Sequence, residues 1–332
     1  LPRAAAALGA PLLADPLSGA RRGTAAVAHY DALLREPAFA AARAPDVVVR
    51  IGDLPTSKPL RQWLAGLDAH QIAFDPEGAR QDPAAVVAEW RTDDPGAWAG
   101  TAAASAQPAG ESEWLAGWRE ADDRAGRALA ATLVDALNEP AVATALAGLG
   151  PETTVFTASS MPVRDIETFW PVLERPPRVL AHRGANGIDG TVAAAFGASA
   201  AATGPVVLHL GDVALAHDVG SLLCAGRLGL ALTIVVVDNA GGGIFDFLPV
   251  ASQRDAFEEH VATPPGLEVE RVAAAFGLAY EAPTDVAGLS AALARAMASA
   301  ESTILHVRTA RPANVALHRS CWSAVGAALR EG

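Results

Sequence analysis

The chain has 332 residues, of which 51% are hydrophobic and 19% are charged, and its formal net charge is −12. This composition is sufficient for ordinary globular cores and excludes an intrinsically disordered chain. The acidic balance argues against a nucleic-acid-binding protein, because no segment forms a basic face. A small anionic substrate stays compatible with it, since a pocket can be locally cationic. The length predicts about two domains.

Targeting and membrane signals are weak. No stretch is long and apolar enough to span a bilayer. The N-terminal segment "LPRAAAALGAPLLADPLSG" has no charged region followed by a clean apolar region, so we predict no signal peptide. The sequence therefore predicts a cytoplasmic protein without a membrane span.

The first part of the chain alternates strand and helix signals. Short apolar runs that end in polar turns predict strands of a parallel sheet over residues 11–15, 46–53 and 70–76. A helical pattern covers residues 57–67. Residues 91–112 are rich in Ala, Gly, Ser and Pro and show no period, which predicts a linker. Helical patterns follow over residues 114–137 and 138–150.

The alternation of strands and helices starts again at Pro151. Apolar runs predict strands over residues 153–159, 178–182, 206–210, 232–238 and 302–308. Helical patterns lie between them over residues 191–202, 214–228, 267–276 and 285–299. Strands spaced by helices in this way predict a doubly wound parallel sheet. We therefore predict an α/β protein with two doubly wound parallel-sheet domains, one over residues 1–112 including the linker and one over 113–332 with a helical lead-in.

Polar residues follow two neighbouring strands of the second predicted sheet. Gly211 and Asp212 follow one strand, and Asn239 and glycines 241–243 follow the next. The intervening stretch has room for a crossover helix, so both strand ends meet at the edge of the sheet where ligands bind. A carboxylate and an amide oxygen side by side suit Mg²⁺ or Ca²⁺. The glycines allow close backbone approach, and a helix starting after Asp212 presents N–H groups to a phosphate. The stretch predicts a site for a metal-bridged diphosphate.

Either Gly-Asp or Asp-Asn alone could simply cap strands and helices, but both together with the triple glycine favour the metal site. This pattern resembles the thiamine diphosphate signature. The resemblance implies that Asp212, Asn239 and the backbone carbonyl of Gly241 bind Mg²⁺ (or Mn²⁺). It also implies that the cofactor contacts the neighbouring residues Gly211, Val213 and Gly242. Val213 and Asp238 depart from the usual signature, but neither position supplies a metal ligand.

Three further segments narrow the resemblance. "SSMPVRD" (159–165), "RGANGIDG" (183–190) and "GGGIFDFLP" (241–249) together resemble the 2-succinyl-5-enolpyruvyl-6-hydroxy-3-cyclohexene-1-carboxylate synthases of menaquinone biosynthesis. The resemblance covers essentially the whole chain as a middle domain and a diphosphate-binding domain. It implies the thiamine diphosphate-binding fold and a transferase that decarboxylates 2-oxoglutarate and adds the succinyl unit to isochorismate.

The family resemblance also implies roles in substrate binding. Both substrates are poly-anions, and Arg164 and Arg183 are the best candidates to bind them, because guanidinium grips carboxylates bidentately. Ser160 would hydrogen-bond the covalent intermediate. Lys58 resembles a family lysine that helps to bind isochorismate. Two alternatives stay open, since Arg164 could pair with a neighbouring acid on its helix and Lys58 could be a solvated residue at a helix start.

Further residues are implied to surround the cofactor. Ser159 would reach the diphosphate, and Ile188 stands where the family places a bulky apolar residue under the cofactor. Ile244 and Phe245 would wall the same pocket. "GANGIDG" alone could pass for a degenerate dinucleotide fingerprint, but it lacks the acidic residue at the end of a following strand.

The glutamate that activates the cofactor belongs, in this family, to an N-terminal pyrimidine-binding domain contributed by the neighbouring subunit. We find no such domain in this sequence. The expectation is therefore that this chain alone is inactive and that the protein works as a homodimer or homotetramer. Two alternatives are another thiamine diphosphate enzyme, of the acetohydroxyacid synthase type, and a non-catalytic diphosphate-binding module.

Overall fold

The computed structural model describes residues 1–106, 112–133, 136–183 and 187–331. Contacts divide the chain into two compact units. The first unit comprises residues 1–132, 171–174 and 321–332, and the second comprises residues 133–170 and 175–320.

The first unit contains a three-stranded parallel sheet. Its strand order is β1-β2-β3, with strands β1 (Val47–Ile51), β2 (His70–Phe74) and β3 (Val87–Arg91). Its helices are α1 (Pro2–Ala7), α2 (Tyr30–Leu33), α3 (Pro37–Ala42), α4 (Lys58–Gly66), α5 (Pro95–Ser105) and α6 (Glu113–Thr132). A 3-10 helix covers Pro16–Ser18.

Helix α6 belongs to the first unit, whereas the predicted boundary after residue 112 places it in the second domain. The ring of Trp118 on α6 is fully buried and contacts Phe39 and Trp63 edge-on, with ring centroids 5.0 and 5.9 Å apart. The Asp122 carboxylate accepts a hydrogen bond of 2.7 Å from the backbone N–H of His29. Aromatic packing and a buried polar contact therefore hold α6 against this unit, and neither can be read from local sequence.

Two predictions for the first unit differ from the structure. Residues 11–15 form an isolated parallel bridge between Leu12 and Ala26 rather than a strand, and the Asp15 side chain then caps the 3-10 helix. The segment predicted as a linker, 91–112, contains helix α5. Asp94 caps that helix by accepting hydrogen bonds from the next turn, and a proline occupies its first position, which is a strong start signal. Residues 107–111 of this segment lie outside the described residues.

The second unit is built on a six-stranded sheet in which every strand pair is parallel. The order is β5-β4-β6-β7-β9-β8. The strands are β4 (Thr154–Thr157), β5 (Arg178–Ala181), β6 (Val206–Gly211), β7 (Thr233–Asp238), β8 (Ala279–Glu281) and β9 (Thr303–Arg308). The predicted α/β class with parallel sheets is confirmed. Strand β8 was not predicted.

Helices lie before, between and after these strands, and the last helix belongs to the first unit from residue 321 onwards. They are α7 (Glu139–Ala147), α8 (Met161–Phe169), α9 (Thr191–Ala201), α10 (Asp212–His217), α11 (Leu223–Leu228), α12 (Arg254–Phe257), α13 (Val269–Ala275), α14 (Val286–Ala298) and α15 (Arg311–Arg330). Within the described ranges, none of the helices has the length and apolar character needed to cross a membrane.

The strand order of this sheet reverses beside β4. The chain passes from β4 to β5 on one side and returns to β6 on the other side of β4. Ligands of doubly wound sheets bind outside the carboxyl ends of the strands, at such a reversal. Strands β6 and β7 pair with Gly211 opposite Val237, so their carboxyl ends lie side by side. Leu210 and Val236 are fully buried, which fits central strands that are covered on both faces.

Candidate functional site

The predicted metal ligands meet at the carboxyl ends of β6 and β7. Asp212 is the first residue of α10, directly after β6, and Asn239 directly follows β7. The backbone N–H of Gly241 donates a hydrogen bond of 2.8 Å to Asp212 Oδ2. We call Asp212, Asn239 and Gly241 the strand-end site.

The Asp212 carboxyl lies in an environment that disfavours its own negative charge. The residue is 3% exposed. Burial, together with the negative charge of Asp238, raises the pKa of Asp212 to about 6. Its backbone hydrogen bonds, including the one from Gly241, oppose this shift in part. A divalent cation beside this carboxylate would supply the opposite charge, so the electrostatics fit a metal ligand.

Asn239 presents an oxygen that lacks a partner. Its Nδ2 donates a hydrogen bond of 2.9 Å to Glu139 Oε1. Its Oδ1 is buried and accepts no hydrogen bond from any residue that the structure describes. Buried polar atoms are nearly always satisfied, because an unpaired one is costly, so such an atom calls for a ligand. An amide oxygen next to a carboxylate suits a hard divalent cation.

The glycine loop after β7 needs residues without a side chain. Gly241 has a φ of +134°, and a Cβ there would lie 2.6 Å from the backbone oxygen of Ala262. A Cβ at Gly243 would lie 2.7 Å from Asn239 Nδ2. The loop of the strand-end site therefore has a backbone conformation and packing that only glycine allows.

The predicted metal ligands of the strand-end site do not form a cluster of His, Cys and carboxylate side chains. Across the described part of the chain, no group of three or more His, Cys, Asp or Glu side chains could hold a metal ion. The strand-end site instead contains one carboxylate, one side-chain amide and the backbone carbonyl of Gly241, which are oxygen donors of the type that Mg²⁺ and Ca²⁺ prefer. The Gly241 carbonyl accepts a hydrogen bond of 2.9 Å from the Gly243 N–H and has a second lone pair. The donor chemistry therefore fits Mg²⁺.

Ser159 and Ser160 stand at the end of β4, where α8 begins. Ser160 has a φ of +74°, which is rare for a residue other than glycine and is concentrated at functional sites. Arg164, one turn into α8, donates a hydrogen bond of 2.5 Å to the Ser160 carbonyl. Ser159 Oγ donates to the backbone carbonyl of His182 at 3.1 Å, so it would have to release this bond to donate to a diphosphate.

Asp165, with which Arg164 could form an ion pair on helix α8, has another charged partner in the structure. The Asp165 carboxylate lies 3.0 Å from Nε2 of His318. Burial raises the pKa of Asp165 above the ordinary value for aspartate, and the contact with His318 opposes this shift in part. Arg164 contributes a weaker electrostatic interaction with Asp165. The guanidinium of Arg164 therefore donates to the Ser160 carbonyl, while His318 is the ion-pair partner of Asp165.

The remaining predicted site residues of the second unit lie on loops around the strand ends. Arg183 is partly buried and follows β5, and residues 184–186 lie outside the described residues. Ile188 packs against the apolar core of the sheet. Ile244 is partly buried and Phe245 is 38% exposed in the 3-10 helix Gly243–Phe247.

Four further predicted site residues have the following positions. Gly211 ends β6, and the backbone N–H of Val213 hydrogen-bonds the Asp212 carboxylate, whereas Gly242 donates to the Ala262 carbonyl at 2.6 Å. Lys58 is an exposed residue at the start of α4 and belongs to the first unit, so it is not among the residues that the second unit brings together.

Glu139 is a further residue of this site and is not among the predicted site residues. It lies in the first turn of α7, is 2% exposed, and accepts hydrogen bonds from Asn239 Nδ2 and Thr309 Oγ1. Burial and the negative charge of Asp165 raise the pKa of Glu139 to about 7. The local sequence, with Asn138 before Glu139 and a proline after it, indicates only a helix start. No sequence signal connects Glu139 to Asn239.

Comparison with known families agrees with this geometry. Residues 164–307 match the thiamine pyrophosphate enzyme, C-terminal TPP binding domain, and residues 1–156 match the middle domain of thiamine pyrophosphate enzymes. The chain belongs to the thiamine pyrophosphate (thiamine diphosphate) enzyme family, and its predicted thiamine diphosphate-binding fold is confirmed.

Individual relatives indicate which enzymes of this family the chain is similar to. The chain is 42% identical over 324 residues to 2-succinyl-5-enolpyruvyl-6-hydroxy-3-cyclohexene-1-carboxylate synthase of Rubrobacter xylanophilus, covering 96% of this chain and 56% of the relative. It is 40% identical over 323 residues to the enzyme of that name from Geobacillus thermodenitrificans, covering 95% and 55%. A Listeria monocytogenes enzyme of that name is 35% identical over 332 residues, covering 97% and 57%. The predicted resemblance is confirmed, and the chain spans about half the length of the curated relatives it matches.

Proposed function

We propose that this chain is the middle and cofactor-binding part of a 2-succinyl-5-enolpyruvyl-6-hydroxy-3-cyclohexene-1-carboxylate synthase. The reaction would be the decarboxylation of 2-oxoglutarate and the transfer of the succinyl unit to isochorismate in menaquinone biosynthesis. The observation that carries the proposal is the strand-end site. In this site the buried Oδ1 of Asn239 has no partner among the described residues, and the buried Asp212 carboxylate is bonded to the same loop through the Gly241 N–H. The names of the similar enzymes support the choice of reaction.

The metal would be Mg²⁺ or Mn²⁺. Asp212, Asn239 Oδ1 and the carbonyl of Gly241 would hold it, and the cation would offset the repulsion between Asp212 and Asp238. Mg²⁺ usually keeps coordination positions for substrate or cofactor phosphate oxygens, so the same ion would fasten a diphosphate to the sheet edge. Gly211, Val213, Gly242 and Ser159 would contact the diphosphate.

The side chains of the protein would bind and orient the substrates and would shield the reacting carbon from water. Thiamine diphosphate, when bound, supplies the decarboxylating and carbon–carbon bond-forming chemistry. Arg164 and Arg183 would bind the carboxylates of both substrates. The hydrogen bond from Arg164 to the Ser160 carbonyl would contribute to the orientation of that guanidinium. The Ser160 hydroxyl would orient the reacting substrate.

Apolar residues would complete the pocket. Ile188, Ile244 and Phe245 would exclude water from the reacting carbon, because a dry site strengthens every electrostatic contact within it. Lys58 would contribute to isochorismate binding. A neighbouring subunit with a pyrimidine-binding domain would supply the activating acid in a cytoplasmic homodimer or homotetramer.

The experiment is a substrate comparison with purified protein joined to a pyrimidine-binding domain, in the presence of thiamine diphosphate and Mg²⁺. The 332-residue chain alone should give no product. We expect mass spectrometry to detect the succinyl adduct when 2-oxoglutarate and isochorismate are supplied together, and the Arg183→Gln variant to raise the KM for 2-oxoglutarate by about 10-fold or more, the scale of a lost charge-assisted hydrogen bond. Pyruvate used as well as 2-oxoglutarate would instead favour an enzyme of the acetohydroxyacid synthase type. Unchanged Mg²⁺ binding in Asp212→Ala would contradict the metal assignment.

A further inference from the structure

The amide of Asn239 has two chemically opposite ends, and only one of them can bind a cation. Its Oδ1 is an acceptor with free lone pairs, whereas its Nδ2 carries two hydrogens and repels a cation. The two orientations of an Asn amide have nearly the same shape, so the surrounding hydrogen-bond partners decide which end faces the site.

The partners of Asn239 favour one orientation. Glu139 Oε1 lies 2.9 Å from Asn239 Nδ2 and accepts its hydrogen bond. The same Oε1 also accepts a hydrogen bond of 3.0 Å from Thr309 Oγ1. Because two donors point at this one oxygen, it acts as an acceptor whether or not the other oxygen of Glu139 carries a proton. A flipped amide would place Asn239 Oδ1 against an acceptor.

The supporting residues are themselves fixed to the sheet. The backbone N–H of Thr309 donates to the carbonyl of Asp238 at 2.8 Å, which ties Thr309 to the end of β7. Glu139 is 2% exposed, and helix α7 begins at this residue. On the loop side, Gly243 lies so close to Asn239 Nδ2 that a Cβ there would be 2.7 Å away. The Nδ2 end of the amide is therefore enclosed, while Oδ1 has no described partner.

We propose that Glu139 is a positioning residue for the metal, because it holds the Asn239 amide with Oδ1 directed to the cation. This inference rests on the proposed metal-binding function of the strand-end site. Residues that hydrogen-bond metal ligands orient them, and their mutation typically lowers metal affinity by about 10- to 100-fold. Thr309 strengthens the effect because it directs Glu139 Oε1 towards the amide.

A purely structural role for Glu139 makes a different prediction. An acidic residue in the first turn of a helix is stabilised by the helix dipole, and that role needs only the negative charge. Positioning of the Asn239 amide instead needs a hydrogen-bond acceptor at the correct distance from its Nδ2. Two conservative variants separate these requirements, since Glu139→Gln keeps the reach and loses the charge, whereas Glu139→Asp keeps the charge and withdraws the acceptor by one methylene.

The test is Mn²⁺ binding, measured by electron paramagnetic resonance in the presence of thiamine diphosphate. We expect Glu139→Asp to weaken Mn²⁺ binding by about 10-fold or more and Glu139→Gln to weaken it by less than about threefold. The exposed Glu268→Asp, which has the same change in side-chain length, serves as the matched control and should bind like wild type. The Mn²⁺ affinity of Thr309→Val should lie between the affinities of the two Glu139 variants.

The outcomes distinguish this inference from the function on which it rests. If wild type binds Mn²⁺ and Glu139→Asp binds it equally well, or if Glu139→Gln is weaker than Glu139→Asp, the positioning role is overturned. If wild type itself shows no Mn²⁺ binding with thiamine diphosphate present, the proposed metal site is wrong, and the role of Glu139 is wrong with it. Thermal unfolding without metal reports separately whether each variant is folded.

Discussion

The Asp212 carboxylate accepts a hydrogen bond of 2.8 Å from the backbone N–H of Gly241, and this bond joins the ends of two neighbouring parallel strands. Asp212 follows β6 and Gly241 lies in the loop after β7. The two segments that carry the predicted ligands are thus fixed to each other by the protein alone. A preorganised ligand set of this kind binds metal without a large ordering cost.

Replacement of Gly241 by alanine should disturb both stability and metal binding. The φ of +134° is strained for any other residue, and the new Cβ would collide with the Ala262 carbonyl 2.6 Å away. We expect Gly241→Ala to lower the free energy of unfolding by about 1–3 kcal/mol, as measured by urea denaturation.

Gly226→Ala is the matched control for this prediction. Gly226 lies in helix α11, is exposed, and has open space where the Cβ would be. Because alanine favours helix, this variant should gain about 0.5–1 kcal/mol. Equal effects of the two substitutions would show that the backbone of Gly241 is not constrained as described.

The unusual backbone of Ser160 predicts a trade of stability against activity. Its φ of +74° costs little for glycine but stores strain in serine. Ser160→Gly should raise the free energy of unfolding by about 1 kcal/mol, whereas Ser160→Ala keeps the strain and should not. When the protein is assayed together with a pyrimidine-binding domain, both variants should lose activity, because both lack the hydroxyl. A Ser160→Gly protein no more stable than Ser160→Ala would contradict this interpretation.

His209 on strand β6 should make stability fall in acid. The side chain is 1% exposed, and burial lowers the pKa of His209 to about 3. The unfolded chain, in which the histidine pKa is about 6.5, therefore binds a proton that the folded state rejects. The contribution of His209 to the free energy of unfolding is fully present above about pH 6.5. It is lost, by about 1.4 kcal/mol per pH unit, as the pH falls from about 6.5 towards 3.

The His209→Leu variant checks this sign. Urea unfolding between pH 4.5 and 7.5, about the range in which an ordinary histidine titrates, should show a shallower loss of stability in acid for the variant than for wild type. His217, which is exposed on α10, provides the control as His217→Leu and should keep the wild-type slope. Identical slopes for wild type and His209→Leu would mean that His209 is protonated in the folded state.

Much of the second unit could be predicted from the sequence. Its central strands are continuous apolar runs that end in polar residues, and such runs are typical of parallel strands buried on both faces. Asp212 and Asn239 were therefore expected at one sheet edge, and the bond between Asp212 and Gly241 agrees with that expectation. The metal itself and the roles of Arg164, Arg183 and Lys58 stay predictions.

The features that the sequence did not reveal depend on tertiary contacts or on short elements. Strand β8 has only three residues, Ala279–Glu281, and is too short to show a period. Helix α5 lies in an alanine- and glycine-rich segment without an apolar face, although its Asp94 cap was visible. Glu139 was missed because its role comes from Asn239, which is distant in sequence and adjacent only in the fold.

The central claim is that the strand-end site binds a divalent metal together with a diphosphate. The most direct measurement is calorimetric titration of thiamine diphosphate into the protein, with Mg²⁺ and again with EDTA. We predict binding that requires Mg²⁺ in wild type and in the exposed control Asp255→Asn, and loss of the Mg²⁺-dependent part in Asp212→Ala and Asn239→Leu. Mg²⁺-dependent binding that survives in both strand-end variants would contradict the claim.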